Sequence, residues 1–144
     1  MKTPSQTVGP FYSIGLVHEG QGVLDPDGAM LEGQLLDGQG EPIGDGLIEL
    51  WDAAGARWGR SGTGPDGNFS FRVPRDVAFF EAYVFARGLL RHQWTRVYLD
   101  QKGDDVLEAL DPRERATLVA RRQDDAFRFD IRMQGDDATV FFVH

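Results

Sequence analysis

A chain of 144 residues with 41% hydrophobic and 11% aromatic content can bury one core, and nothing in its length asks for a second domain. The formal net charge of −8 opposes binding to a phosphate backbone, so nucleic acid is excluded as the expected partner. The absence of cysteine removes disulfides, thiolate nucleophiles and thiolate metal sites together, and with no apolar export region at Met1–Gln6 and no long apolar run, the expected compartment is the cytoplasm, not a membrane.

Residues 1–29 carry Pro4, Pro10 and Pro26 with no clear period and read as an N-terminal arm able to dock on another chain, with one domain over 30–144. Met30–Leu36 and Gly46–Trp51 flank Asp37-Gly38-Gln39-Gly40, which predicts a hairpin. Gly59, Gly62, Gly64 and Gly67 read as turn residues. Phe69, Phe71 and Val73 then alternate with polar residues at the two-residue period of a half-buried strand. Ala82–Ala86 and Trp94–Leu99 predict a second strand pair. One helix is expected, over Asp104–Arg115, capped by Asp104 or Asp105 and broken by Pro112. Phe127, Phe129, Ile131 and Met133 alternate with Arg128, Asp130 and Arg132, and Thr139–Val143 predicts a last strand. Short strands punctuated by Gly, Asp and Pro, with so little helix, make the fold class all-β: a sandwich of two packed antiparallel sheets.

The chemistry-bearing residues are sparse. His18, His92 and His144 are widely separated, with no H-x-H or H-x-x-x-H spacing to put two imidazoles on one metal, and read as surface residues. No phosphate-cradling loop or nucleophile elbow occurs. The acidic pairs Asp104-Asp105, Asp124-Asp125 and Asp136-Asp137 lack the alternation of a calcium loop and read as solvated turns. Arg87 closes an apolar strand beside Gly88, where a guanidinium can receive a carboxylate in a two-pronged contact or pair structurally with a neighbouring acid; the spacing leaves both open.

Thr3-Pro4-Ser5-Gln6-Thr7-Val8-Gly9-Pro10-Phe11-Tyr12 with Ile14-Gly15-Leu16 resembles the N-terminal signature of protocatechuate 3,4-dioxygenase α subunits, of the intradiol ring-cleaving dioxygenases. The likeness continues in family order through Gly33-Gln34, Ile48-Glu49-Leu50-Trp51, Gly59-Arg60, Phe85-Ala86-Arg87-Gly88, Thr95-Arg96-Val97-Tyr98 and Phe127–Gly135, to Thr139-Val140-Phe141-Phe142. The resemblance implies an intradiol dioxygenase fold, a prealbumin-like β-sandwich with an extended arm. It also implies a β-type partner subunit in a hetero-oligomer, with the Fe(III) held by that partner through two tyrosines and two histidines, and conversion of protocatechuate and oxygen to 3-carboxymuconate.

Aligned on Phe85–Gly88, the two histidine positions are occupied by Phe79 and Glu81, and no tyrosine lies between Tyr12 and Tyr83 to supply the others. The resemblance therefore implies no catalytic residue and no metal ligand in this chain, which alone is expected to be inactive, with Val77–Glu81 packing as strand where a metal pocket might have been. The family's α chain lends its partner's pocket a Thr-x-Gly-Pro segment and the arginine of its F-A-R-G motif, which carry over as substrate-binding positions Thr7, Gly9, Pro10 and Arg87. The chain is short for its family, with material missing ahead of Met30 and between Trp51 and Gly59. That shortness supports the alternative expectation, a stand-alone, non-catalytic β-sandwich module.

Overall fold

The computed structural model describes residues 1–7, 9, 11–52, 54 and 56–143. In chain order these form α1 (Phe11–Leu16), β1 (Ala29–Leu36), β2 (Leu47–Asp52), β3 (Arg57–Gly62), β4 (Asn68–Val73), β5 (Phe79–Phe85), β6 (Gln93–Tyr98), α2 (Asp105–Glu108), α3 (Pro112–Ala116), β7 (Arg121–Gln123), β8 (Ala126–Arg128) and β9 (Ile131–Arg132). One sheet runs β4-β1-β8-β7, with β9 also on β1; the other runs β3-β2-β5-β6.

Side chains alternate across each strand, so one face of each sheet is apolar. Leu31 and Leu35 of β1, Phe69, Phe71 and Val73 of β4, and Phe127 of β8 meet Ile48 and Leu50 of β2 and Phe80, Ala82 and Val84 of β5 in a single core. A smaller cluster of Tyr98, Leu107 and Leu118 roots the short helices at the end of β6.

The sandwich and the β5–β6 pair are as expected, with four corrections. First, the β1–β2 hairpin does not form. Asp37 does make a turn, its carboxylate accepting the amides of Gln39 (2.8 Å) and Glu41 (2.9 Å), but the chain bonds back to β1 only as far as Ile43, whose amide donates to the Leu35 carbonyl at 2.9 Å. It then crosses to the other sheet, because the apolar faces of β1 and β2 bury more by facing each other through the core than by lying edge to edge. Second, the first sheet is mixed, not antiparallel: β1 is antiparallel to β4 but parallel to β8 and β9.

Third, Gly59 and Gly62 lie within β3 and only Gly64 and Gly67 shape a turn. A side chain at Gly59 would have its Cβ 2.4 Å from Leu24 Cδ1 and 2.9 Å from the Gln21 carbonyl oxygen, so this glycine lets residues 21–24 approach the sheet. Fourth, Thr139–Val143 is no strand among the described residues. It is pinned at points, by the Phe142 amide on the Trp94 carbonyl (2.8 Å) and the Thr95 hydroxyl on the Val140 carbonyl (2.6 Å). The predicted helix is divided, as Pro112 starts α3 after its cap Asp111 while Asp104 caps α2.

The arm is in two parts. The carbonyls of Gln21 and Gly22 accept the amides of Arg60 in β3 (2.9 Å) and Arg72 in β4 (2.8 Å), tying the arm to an edge strand of each sheet, and Leu24 enters the core. Before them, residues 1–7 are exposed and α1 buries only Tyr12.

Candidate functional site

The arm and the end of β5 meet at Asp45. The Tyr12 hydroxyl donates to the Asp45 backbone carbonyl at 2.7 Å, and Arg87, immediately after β5, brings its Nε to 3.2 Å from Asp45 Oδ2. Gly88 follows at φ +90°, a left-handed conformation in which glycine pays no steric penalty, so the chain turns sharply and leaves the Arg87 side chain 69% exposed. Burial first, and the negative charge of Asp45 second, push the Tyr12 phenol up to about 12 against the opposing Arg87 charge. Tyr12 is therefore a protonated donor and not a tyrosinate. Beside it Phe85, Ala86, Leu89, Leu90, Arg91 and His92 line a groove of about 290 Å³.

Of the positions expected at a substrate wall, the structure brings Arg87 to the foot of α1. Gly9 is half-buried with φ +73°, Thr7 is exposed, and Pro10 lies outside the described residues. Sequence reasoning missed Asp45 and Tyr12, which lie 33 residues apart and are joined only by the fold. Of the two readings that its spacing left open, the structure shows the pairing with a neighbouring acid, Asp45, and the Arg87 guanidinium is otherwise largely exposed.

Phe79 and Glu81 project from the outer face of β5; the Phe79 phenyl has no donor atom for a metal, and the Glu81 carboxylate accepts the Tyr83 hydroxyl at 3.2 Å. The Phe79 ring lies 5.4 Å from that of Tyr98 and 4.2 Å from the Arg96 guanidinium, so a fixed cation stands at this point. Arg96 Nη1 is held by Asp104 at 3.0 Å and by the Tyr98 hydroxyl at 3.3 Å, and that hydroxyl donates to Asp104 at 2.8 Å. Burial raises the Tyr98 and Tyr83 phenols above their ordinary value, the latter aided by Glu81. Each tyrosine of the chain is thus biased toward its neutral form and away from tyrosinate. Among the described residues no three His, Cys, Asp or Glu side chains cluster as a metal site.

Two expectations about charged residues need correction. His92 is half-buried, its ring 5.3 Å from both Tyr83 and Phe85, whereas His18 is exposed; His144 lies outside the described residues. Asp104 is no solvated turn residue, since it ties α2 to β6 through Leu107, Tyr98 and Arg96.

The chain is 34% identical to the protocatechuate 3,4-dioxygenase alpha chain of Burkholderia cepacia, over 98% of this chain and 96% of that one. It is 32% identical to the alpha chain of the same name from Pseudomonas putida, with the same coverage. The chain belongs to the protocatechuate 3,4-dioxygenase alpha-chain family. The first of these alignments runs to 190 positions, more than the 144 residues of this α-type chain, so its relative carries segments that are absent here. No family model matches.

Among solved structures, the fold is similar to the dioxygenase domain of a dioxygenase carbohydrate-binding fusion from Streptomyces sp. SirexAA-E (TM-score 0.59, 20% identity, 92% of this chain and 98% of that one). It is also similar to hydroxyquinol 1,2-dioxygenase from Pseudomonas putida DLL-E4 (TM-score 0.56, 18% identity, 90% and 65%). The intradiol dioxygenase sandwich is thereby shown. A full-length match to α chains favours an enzyme subunit over a stand-alone module. Among the described residues, no helix of this α-type chain is long and apolar enough to cross a membrane.

Proposed function

We propose that this α-type chain pairs with a β-type subunit in the cytoplasm and that the hetero-oligomer cleaves protocatechuate between its hydroxyl-bearing carbons, giving 3-carboxymuconate. The partner's Fe(III) would supply the activation of the catechol, and this chain contributes binding and shape. The observation that supports this reading is the Asp45 junction, where Tyr12 of α1 and Arg87 of the F-A-R-G segment meet. Residues 1–29 form the arm, of which the part ahead of Val17 reaches the partner, while 30–144 form the sandwich.

In that arrangement Gly9 and Pro10 shape a backbone wall against an aromatic ring, and Thr7 offers a hydroxyl. Arg87, held near Nε by Asp45, turns its remaining N–H groups toward the carboxylate of the substrate, a planar fork matched to a planar acceptor. The test is Arg87→Ala in the co-expressed α/β pair. The KM for protocatechuate should rise about tenfold or more, a charge-assisted hydrogen bond being worth about 1.5–3 kcal/mol, while turnover of catechol, which lacks the carboxylate, should hold. Equal effects on both substrates would remove Arg87 from the substrate-binding wall.

A further inference from the structure

The outer face of the β3-β2-β5-β6 sheet carries two cross-strand rows, Arg60–Glu49–Tyr83–Trp94 and Trp58–Trp51–Glu81–Arg96. At one end of this face the Arg60 guanidinium lies 5.2 Å from the Trp58 ring centre and donates from Nε to Glu49 at 2.8 Å. At the other, Arg96 lies over Phe79 and is held by Asp104. Both are the same device, a guanidinium laid on an aromatic ring and locked by a carboxylate, which joins cation–π attraction to a charge-assisted hydrogen bond.

Between them lies a third set of these parts. A cleft of about 420 Å³ is lined by Glu49, Trp51, Glu81, Tyr83, Phe85 and His92. Trp51 stacks on Trp58 at 5.8 Å and is 41% exposed, presenting indole to the opening. Glu49 is already paired with Arg60. Glu81 accepts a hydrogen bond from the Tyr83 hydroxyl at 3.2 Å, and among the described residues it makes no ion pair. Arg96 stands across from it in the ladder but is committed to Asp104 and Tyr98.

We propose that this cleft receives an arginine side chain of a partner protein, its plane on Trp51 and its fork on Glu81. Charge is complementary, since a half-buried carboxylate on a chain of net charge −8 awaits a cation. The two filled examples on the same face choose a guanidinium, whose flat, weakly hydrated form suits stacking better than an ammonium does. A protein donor is favoured by what adjoins the cleft. It shares Phe85 and His92 with the groove lined by Tyr12, Leu89 and Leu90, and the exposed side chains of Phe11 (76%), Ile14 (74%) and Leu90 (63%) add apolar surface of the kind that interfaces cover. The inference stands apart from the dioxygenase reading, because it requires a cationic partner but no ring cleavage.

The test titrates the full chain with N-acetyl-arginine amide and with its neutral isostere N-acetyl-citrulline amide, following tryptophan emission and heat. Saturable binding of the arginine compound is expected, about tenfold or more weaker for citrulline and for Glu81→Gln, with the exposed Glu32→Gln unchanged. Equal binding of the two compounds, no saturable change, or no effect of Glu81→Gln in a variant with unchanged thermal midpoint would overturn the proposal. Tighter binding of tetramethylammonium than of the arginine amide would also overturn it, in favour of a small quaternary cation. The citrulline comparison uses the unmodified chain, so the outcome does not depend on how a variant folds.

Discussion

Replacing Asp104 by alanine should destabilise the chain by about 3 kcal/mol, although the residue touches no substrate. Its Oδ1 accepts the Tyr98 hydroxyl at 2.8 Å and the Leu107 amide at 3.1 Å, and Oδ2 holds Arg96 at 3.0 Å. Loss of a helix N-cap costs about 1 kcal/mol. The Tyr98 hydroxyl on a charged acceptor adds about 1.5 kcal/mol, and the Arg96 ion pair only about 0.5 because the Asp104 side chain is 35% exposed. Burial raises the Asp104 carboxyl, but the Leu107 amide, the Tyr98 hydroxyl and the Arg96 charge outweigh it and hold the group below the ordinary carboxylate value. A depressed folded pKa contributes stability that is complete above the unfolded value of about 3.9 and is lost as pH falls through the folded value. Urea unfolding followed by tryptophan emission should therefore give a constant gap between the two proteins from mildly acid to neutral pH, narrowing in stronger acid. A gap below about 1 kcal/mol at neutral pH, or one that does not narrow in acid, would refute the network as drawn.

Three further outcomes follow from the arm and its anchor. Tyr12→Phe removes the bond to the Asp45 carbonyl, and should cost about 0.5–1.5 kcal/mol and speed hydrogen exchange in α1 without altering the β5–β6 amides. Gly59→Ala sets a methyl 2.4 Å from Leu24 and 2.9 Å from a backbone oxygen, and should lower stability by about 1–3 kcal/mol and expose residues 17–28 to limited proteolysis. Arg87→Ala should leave the unfolding free energy from urea titration within about 0.5 kcal/mol of the parent, because its ion pair is largely exposed, while raising the KM for protocatechuate in the reconstituted pair.

What the sequence made legible is what period and local turn chemistry encode. The alternation of Phe69, Phe71 and Val73 and the β5–β6 pair are local patterns, and both occur as expected. β3 was hidden because its glycines answer a tertiary demand, the approach of Leu24, and carry no strand signature of their own. The false β1–β2 hairpin had correct turn residues but the wrong partner, since a turn signal gives a change of direction and not the sheet that the next strand joins. The run 139–143 is apolar enough for a strand, yet it packs Val140 and Phe142 against a small cluster at isolated bonding points. At the candidate site Arg87 was legible from its motif. Asp45 was not, because its role depends on bringing residues 12, 45 and 87 together.

The outer face of β5 shows why restoring ligands would not restore a metal centre. Phe79→His with Glu81→His would recreate the missing H-x-H, yet the Arg96 guanidinium remains 4.2 Å from the position 79 ring centre, fixed by Asp104 and Tyr98. A cation held beside position 79 disfavours a second positive charge there, since like unit charges about 4 Å apart near a protein surface repel by about 4 kcal/mol. The phenols available nearby are Tyr83 and Tyr98, both raised above their ordinary value by burial and engaged by Glu81 and Asp104. The double variant, reconstituted with ferric ion, should therefore stay colourless in the visible range and retain no stoichiometric iron after gel filtration. A red chain carrying iron would show that Arg96 yields its place, and the reading of this face as one built around guanidinium groups would fall with it.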